Sequence, residues 1–554
     1  MEYSVERLSA LMARQLQERD ILSRAEADYA LQKQRVEAKP LWRVLVDTGL
    51  VRERVVCELL SELFDIDFVD LDRVERPGEE LLALFNRELC QKGEFLPLRR
   101  ESDHLLVVLG DANPIEVGQL VLRRCGLRSR FVLGEFSRVR TLIRHSFFFA
   151  QNPVSDLINA EIRNLMADQD GTRSPAAFVQ HLLHLAVQER ATDIHIAPTA
   201  SSIHVLLRVD GVLHPAFALP LELTRIGSYI KLIAEIDISE KRKPQDGSFR
   251  TRILDVPYSV RLSTIVTDVG ERMVMRLLPE SHDLKGLREM GYYEEDALLL
   301  EEGLGRPAGL VVITGPTGSG KSSTLHAALR MQNLIERNVL TVEDPVEYRV
   351  PGAGQTEVNR KAGYDFQSAL RHFLRHDPDV ILVGEMRDSE TVVAALDAAT
   401  TGHLVLSTLH VTSVFGAVPR LALLGGQAPI VAENLLLVVN QRLVRRNCSA
   451  CAEPVELGER ECRWLGKPAG FKGMRGRGCP RCRGTGFHGR VPVYEILSIN
   501  DELADLIASD ARRAELRKAA ERNGFRDIEF CARRRVADGM TTSDEIVRSL
   551  GVGP

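Results

Sequence analysis

The stretch Gly315-Pro-Thr-Gly-Ser-Gly-Lys321-Ser322 constrains this chain more than any other. It fits G-x-x-x-x-G-K-[ST] in full, with LVVIT ahead of it and SSTLHAALRM behind, so it reads as strand, glycine turn and helix. Gly315, Gly318 and Gly320 let backbone N–H groups turn inward around phosphate oxygens, with Pro316, Thr317 and Ser319 completing the loop. The helix that opens at Lys321, Ser322 and Ser323 points its positive end at the same charge. Lys321 is expected to reach the β- and γ-phosphates, and Ser322 to ligate Mg²⁺. VLTVED, VILVGE and HLVLSTLH add further buried-type strands separated by helices, which predicts an α/β core with a mostly parallel sheet from about residue 282 onward.

A phosphate cradle binds without necessarily cleaving. Hydrolysis needs a carboxylate to orient or deprotonate water and another near the metal. Glu343 and Asp344 follow VLTV, and Glu385 follows VILVG, so these acids stand at the carboxyl ends of strands, where sites on such sheets form. His403 and His410 flank LVLSTL; strand rise puts them about 20 Å apart at most, so they need not share a role. Arg371 and Arg375, at i and i+4 in SALRHFLRHDPD, share one helix face, which taken alone reads as a solvated or salt-bridged surface. Arg208, Arg261 and Arg276 lie on alternating strands of the preceding domain, and rigidly mounted guanidinium groups suit phosphate capture across a cleft.

The chain has 554 residues, too many for one core, and three or four domains are expected. Residues 1–65 carry a weak repeat: MARQLQERDIL (12–22) aligns with LWRVLVDTGLV (41–51) at an offset of 29, each followed by a helical segment. Two unrelated amphipathic helix pairs would give the same pattern. Residues 66–150 read as a small α+β unit, with strands at FVDLD, EFLPLRR and DHLLVVLGD and helices at GEELLALFNREL and PIEVGQLVLRR. Residues 151–176 turn polar and read as a linker. Residues 177–281 open with a helix and continue in period-two segments, a second α+β domain with a half-buried antiparallel sheet. A mainly helical tail closes the chain.

The net charge of −5 offers no broad field for nucleic acid. No apolar run approaches the roughly 20 residues that span a bilayer, and the first residues lack the apolar core of a signal peptide. The expected location is therefore cytoplasmic, with membrane contact through a partner.

Four of nine cysteines form Cys448-x-x-Cys451 and Cys479-x-x-Cys482, two knuckles 27 residues apart. Thiolates so spaced complete a tetrahedral zinc shell, closed and therefore structural. Four free thiols are the plain alternative. Within this insert, residues 448–485, and just beyond it, Lys472, Arg475, Arg477, Arg481, Arg483 and Arg490 form a basic stretch with few aromatics for stacking bases. A solvated surface is the plain reading, and an anionic lipid surface or acidic partner the sharper one.

With DIHIAP, LLRVDGVL, EKRKPQDG, GPTGSGKSS, VEDPVEY, DPDVILVGEMRD, TTGHLVLSTLH and the tetracysteine insert in order, the chain resembles the secretion ATPases of type II secretion and type IV pilus assembly (GspE/PilB type) over roughly residues 40–550. The resemblance implies a RecA-like ATPase core at 282–554, a PAS-like domain at 177–281, and a homohexamer that turns ATP hydrolysis into motion of an inner-membrane platform protein. It makes Glu343 the general base, Asp344 its partner in the aspartate box, and Glu385 the acid acting on Mg²⁺. It places His403 and His410 in a histidine box. Arg261, Arg276, Arg371, Arg375 and Arg387 become nucleotide-contacting or ring-coupling arginines, and Cys448, Cys451, Cys479 and Cys482 zinc ligands. FGAVPRLALLG looks more like type II secretion than pilus extension. Residues 1–65 resemble an MshEN-like module that binds cyclic di-GMP in some relatives. Here Pro40-Leu41-Trp42 replaces the expected Arg-Leu-Gly and Asp20 replaces a glycine, which argues against that ligand and for docking to a membrane-anchored partner. A nucleotide-binding scaffold with little turnover, and a nucleic-acid motor, are the readings from other classes.

Overall fold

The computed structural model describes residues 5–71, 74–111, 114–168, 170–280 and 285–554. It divides into two compact units: residues 1–52 with 284–554, and residues 53–283. The expected domain boundary at 281/282 lies outside the described residues.

The first unit is built on a seven-stranded sheet. Its spatial order is Gly354–Glu357, Val339–Glu343, Val380–Val383, Leu404–Leu409, Gly309–Thr314, Leu435–Asn447 and Phe487–Ser498. Neighbours are parallel except the last pair. The strands Gly309–Thr314, Val380–Val383 and Leu404–Leu409 are buried at every residue, which is why they read as unbroken apolar runs. Alternate side chains feed two cores: Leu310, Val312, Ile381 and Val405 face one helical layer, and Val311, Ile313, Leu382 and Leu406 the other. The cysteine insert is the connection between the two antiparallel strands at the sheet's end. It holds its own pair, Ala452–Glu456 against Lys472–Gly476, and a helix, Glu459–Leu465.

The helices Val5–Glu18, Arg24–Glu37 and Leu41–Asp47 belong to the same unit. They carry the repeat as matching corners. Met12 and Leu41, and likewise Leu16 and Leu45, are fully buried. The amide of Leu22 bonds to the Leu16 carbonyl and that of Val51 to the Leu45 carbonyl, each at 3.2 Å. The turn between needs a left-handed residue, and Gly49 (φ 75°) and Asp20 (φ 55°) both supply it. Aspartate tolerates that region better than most side chains, so the glycine is replaceable there.

The second unit holds two sheets. Phe95–Glu101 pairs antiparallel with His104–Leu109, which pairs parallel with Arg128–Leu133 across the helix Pro114–Cys125. This third strand, RSRFVL, is not among those expected. Among its described residues, FVDLD contributes an isolated bridge from Phe68 to Leu133. The segment read as one helix at 78–89 is two, because Asn86 caps a new start by accepting from the Leu89 amide. The other sheet has six antiparallel strands in the order Val212–Leu219, Ile203–Val209, Asp193–Pro198, Gly270–Pro279, Val256–Thr267 and Gln245–Ile253.

The polar linker expected at 151–176 is corrected by the structure. Val154–Ala167 is a helix whose Val154, Ile158 and Leu165 enter the same core as Phe178 and Leu182. Apolar residues at helical spacing outweigh the polar residues between them. Among the described residues no helix is long and apolar enough to cross a membrane.

Candidate active site and metal centre

The loop at 315–322 leaves the carboxyl end of Gly309–Thr314, a strand paired on both sides, and turns into the helix Lys321–Leu329. Gly315, Gly318 and Gly320 have φ of 141°, 78° and 89°. A Cβ at Gly315 would stand 2.5 Å from the Gln441 carbonyl, so only glycine fits. Lys321 Nζ donates to the carbonyls of Gly315 (2.9 Å) and Pro316 (3.0 Å), folded back on its own loop. Burial lowers its pKa, and the Glu385 carboxylate partly restores it, which places Glu385 within electrostatic reach of the loop. Gln441, on strand Leu435–Asn447, is a residue that sequence reasoning missed. Its Nε2 donates to the Ser319 carbonyl (2.8 Å), and its Oε1 accepts from the hydroxyls of Thr324 (2.9 Å) and Tyr292 (2.7 Å).

Glu343 ends the strand Val339–Glu343 and is 4% exposed. Its Oε1 accepts from the Thr341 hydroxyl (2.8 Å) and the Gln355 amide (3.1 Å). Its Oε2 lies 3.1 Å from Nε2 of His326, an ionic contact off the ideal hydrogen-bond line. The other ring nitrogen of His326 is 2.7 Å from the Ser322 carbonyl. A carbonyl and a carboxylate can each accept from the ring. Burial pulls the His326 pKa down, but the Glu343 carboxylate and Ser322 carbonyl outweigh it, and the pKa lies above the usual value. Tyr348 packs edge-on against the imidazole, with ring centres 5.1 Å apart.

The remaining expected site residues separate into groups. Glu385 lies 2.8 Å from Arg387 and 3.4 Å from His410 Nε2, so these three come together. Asp344 instead pairs with Arg360 at 3.1 Å. His403, at the other end of its strand, sets Nδ1 2.9 Å from the Ala398 carbonyl and serves the preceding helix end. Arg371 and Arg375 do not share a helix: Phe366–Phe373 ends first, and Arg375 lies beyond it, 3.2 Å from His372. The chain must turn there, because Asp377 (φ 50°) leads into Pro378.

Arg261 and Arg276 lie in the unit of residues 53–283. Arg208, Asp193, Arg276 and Arg261 stand directly opposite one another on four neighbouring strands, so they form one row on one face. Asp193 is buried; Arg276 donates to it at 2.9 Å, and Arg208 lies 3.8 Å away. Asp193 thus sits between Arg208 and Arg276, with Arg261 next in the row beyond Arg276, and three guanidinium groups against one carboxylate favour a further anion.

The four insert cysteines converge. Their sulfurs all lie within 4.8 Å of one another, with Cys448–Cys479 and Cys451–Cys482 at 3.8 Å and Cys479–Cys482 at 3.7 Å. Tetrahedral zinc with bonds of about 2.3 Å requires sulfur separations of about 3.8 Å, so the cage fits that ion. Burial raises the Cys482 pKa, but amides of Cys479 and Gly486 donate to its sulfur and bring it down to about 7. A thiol so lowered ionises readily, as a ligand must.

The family model described as "Type II/IV secretion system protein" matches residues 168–548, and that of the "MshEN domain" matches residues 64–149. The chain is 34% identical over 532 residues to "Type IV pilus assembly ATPase PilB" of Thermus thermophilus, covering 93% of this chain and 59% of that protein. It therefore spans less than two thirds of that relative's length. It is 41% identical over 391 residues to "Type II secretion system protein E" of Pseudomonas aeruginosa, covering 70% of this chain and 78% of that protein. Among solved structures, the ATPase DotB of Legionella pneumophila shares the fold with a TM-score of 0.51 at 24% identity, covering 67% of this chain and 95% of that one.

Proposed function

The chain belongs to the type II/IV secretion system protein family, and from that premise we propose that it is an ATPase motor that powers assembly of a pseudopilus in type II protein secretion. The observation that carries the reading is the grouping around the 315–322 loop: Lys321, Glu343 and Glu385 all stand at the carboxyl edge of one parallel sheet. The loop amides and Lys321 grip the β- and γ-phosphates. Glu343 orients and deprotonates the attacking water, with Asp344 beside it in sequence. Ser322 and Glu385 hold Mg²⁺, which spreads the charge of the phosphates when bound. Arg387 and His410, gathered on Glu385, stand where the γ-phosphate can set their arrangement.

The type II assignment is supported by the higher identity to the secretion protein, 41% over 391 residues against 34% over 532 to the pilus protein. Pilus assembly is the second reading, favoured by a match that extends over nearly the whole chain. Six copies are proposed to form a ring that works on an inner-membrane platform protein and docks through a membrane-anchored one. Arg261 and Arg276 close on the nucleotide, and Arg371 and Arg375 act in nucleotide contact or ring coupling. The cysteine cage takes Zn²⁺ as a structural ion, with its basic surroundings available to anionic lipid.

Phosphate release by the purified full-length chain tests the core of this. Lys321→Ala should abolish turnover, and Glu343→Gln should retain ATP binding while turnover falls by at least about a hundredfold. Ordinary rates in either variant would remove that residue from its role. A parent protein that binds ATP yet scarcely turns it over, even as a ring, would support the scaffold reading instead.

A further inference from the structure

We propose that His326 is a positioning residue for ATP hydrolysis, coupling the aim of the Glu343 carboxylate to the helix that starts at the phosphate loop. This rests on reading Glu343 as the general base. His326 sits on the Lys321–Leu329 helix, one turn after Ser322, and is 2% exposed. One ring nitrogen meets the Ser322 carbonyl at 2.7 Å and the other lies 3.1 Å from Glu343 Oε2. The imidazole thus joins the phosphate-loop helix to the proposed base. Tyr348 fixes its plane from the side.

The consequences follow from where Glu343 is held. Thr341 and Gln355, on Glu343's own strand and its neighbour, occupy Oε1. They move with the sheet. His326 occupies Oε2 and moves with the helix. When nucleotide draws Ser322 and the helix start toward its phosphates, the contact at Oε2 shifts while those at Oε1 stay. The carboxylate then turns about its Oε1 anchor, and Oε2 is the oxygen released toward water. An aromatic or aliphatic residue at 326 would leave Oε2 buried without a partner and the carboxylate without this linkage.

The test is steady-state phosphate release by the full-length chain, alongside affinity for a fluorescent ATP analogue and a thermal midpoint. His326→Phe should lower kcat on the order of a hundredfold, the usual scale for a misplaced catalytic group, with KM and analogue affinity within about threefold of the parent. His326→Gln places an amide nitrogen near the position of Nε2 and should recover kcat to within about tenfold of the parent. His326→Asn, whose amide falls nearer Nδ1, should not. Unchanged kcat in His326→Phe overturns the proposal, as does a loss confined to KM or equal recovery by Asn and Gln. Should His326→Phe fail to fold, the Gln and Asn pair decides the matter. Glu343→Gln keeps the two readings apart. If that variant turns over normally, the assignment of the base falls; if it is inactive while His326→Phe is fully active, only the coupling falls.

Discussion

Glu545 is enclosed by two arginines and has no exposed side-chain surface. Its carboxylate accepts from the Arg445 amide and guanidinium, at 3.0 and 2.8 Å, and from Arg548 Nε at 2.7 Å. Burial alone would raise its pKa; the Arg548 and Arg445 bonds outweigh that and hold it at about 2, against an ordinary 4.5. A depressed carboxylate stabilises the fold above the unfolded pKa and loses that contribution as pH falls toward the folded one. Glu545→Gln should therefore cost roughly 3 kcal/mol at pH 7, read as a lowered thermal midpoint, and the gap to the parent should narrow below pH 4.5. Lys321, Glu343 and Glu385 were legible because a loop pattern and strand ends fix where they stand. His326, Gln441, Thr341 and Gln355 were not. A histidine in the apolar stretch STLHAAL and a glutamine in VVNQRLV carry no local sign of function, since their partners come from strands far away in sequence. Arg371 and Arg375 show the reverse error, an i,i+4 spacing that a proline turn interrupts.

The cysteine insert is the element whose convergence was plainest in advance, because two knuckles at that spacing are readily brought together. Its small sheet and single helix bury little besides the thiols, with Cys448, Cys451 and Cys482 forming a core of their own. A unit so small would depend on a bound ion for stability. Purified protein should contain one zinc per chain, and stripping it with a strong chelator, or Cys479→Ser, should open residues 448–485 to protease. Retained metal stoichiometry in Cys479→Ser would contradict the cage. Other elements were harder to read. RSRFVL carries two arginines on its exposed side and hides as a strand. The helix Val154–Ala167 was masked by the polar residues that follow it, where Asp168 binds Arg225 at 2.7 Å. In both cases burial was decided by a distant surface, not by local composition.

At the scale of the molecule, the parallel core was readable because each buried strand is an unbroken apolar run followed by a helix. The grouping of residues 1–52 with 284–554 was not, because it rests on contacts such as Arg52 to Glu289 at 3.1 Å, more than two hundred residues apart. A ring motor predicts assembly as well as turnover. Light scattering on the parent protein with a non-hydrolysable ATP analogue should give a mass six times the 61.8 kDa chain, and a persistent monomer with full activity would rule the ring out. One strand ties the two centres together. Leu435–Asn447 is paired along most of its length with Phe487–Ser498 and over its first half with Gly309–Thr314. It touches the Ser319 carbonyl through Gln441, and its last residue is joined directly to Cys448. From Gln441 to that cysteine is roughly 20 Å of extended backbone, with one register shift between Arg445 and Asn447, so the phosphate loop and the cysteine knuckle hang from opposite ends of a single strand.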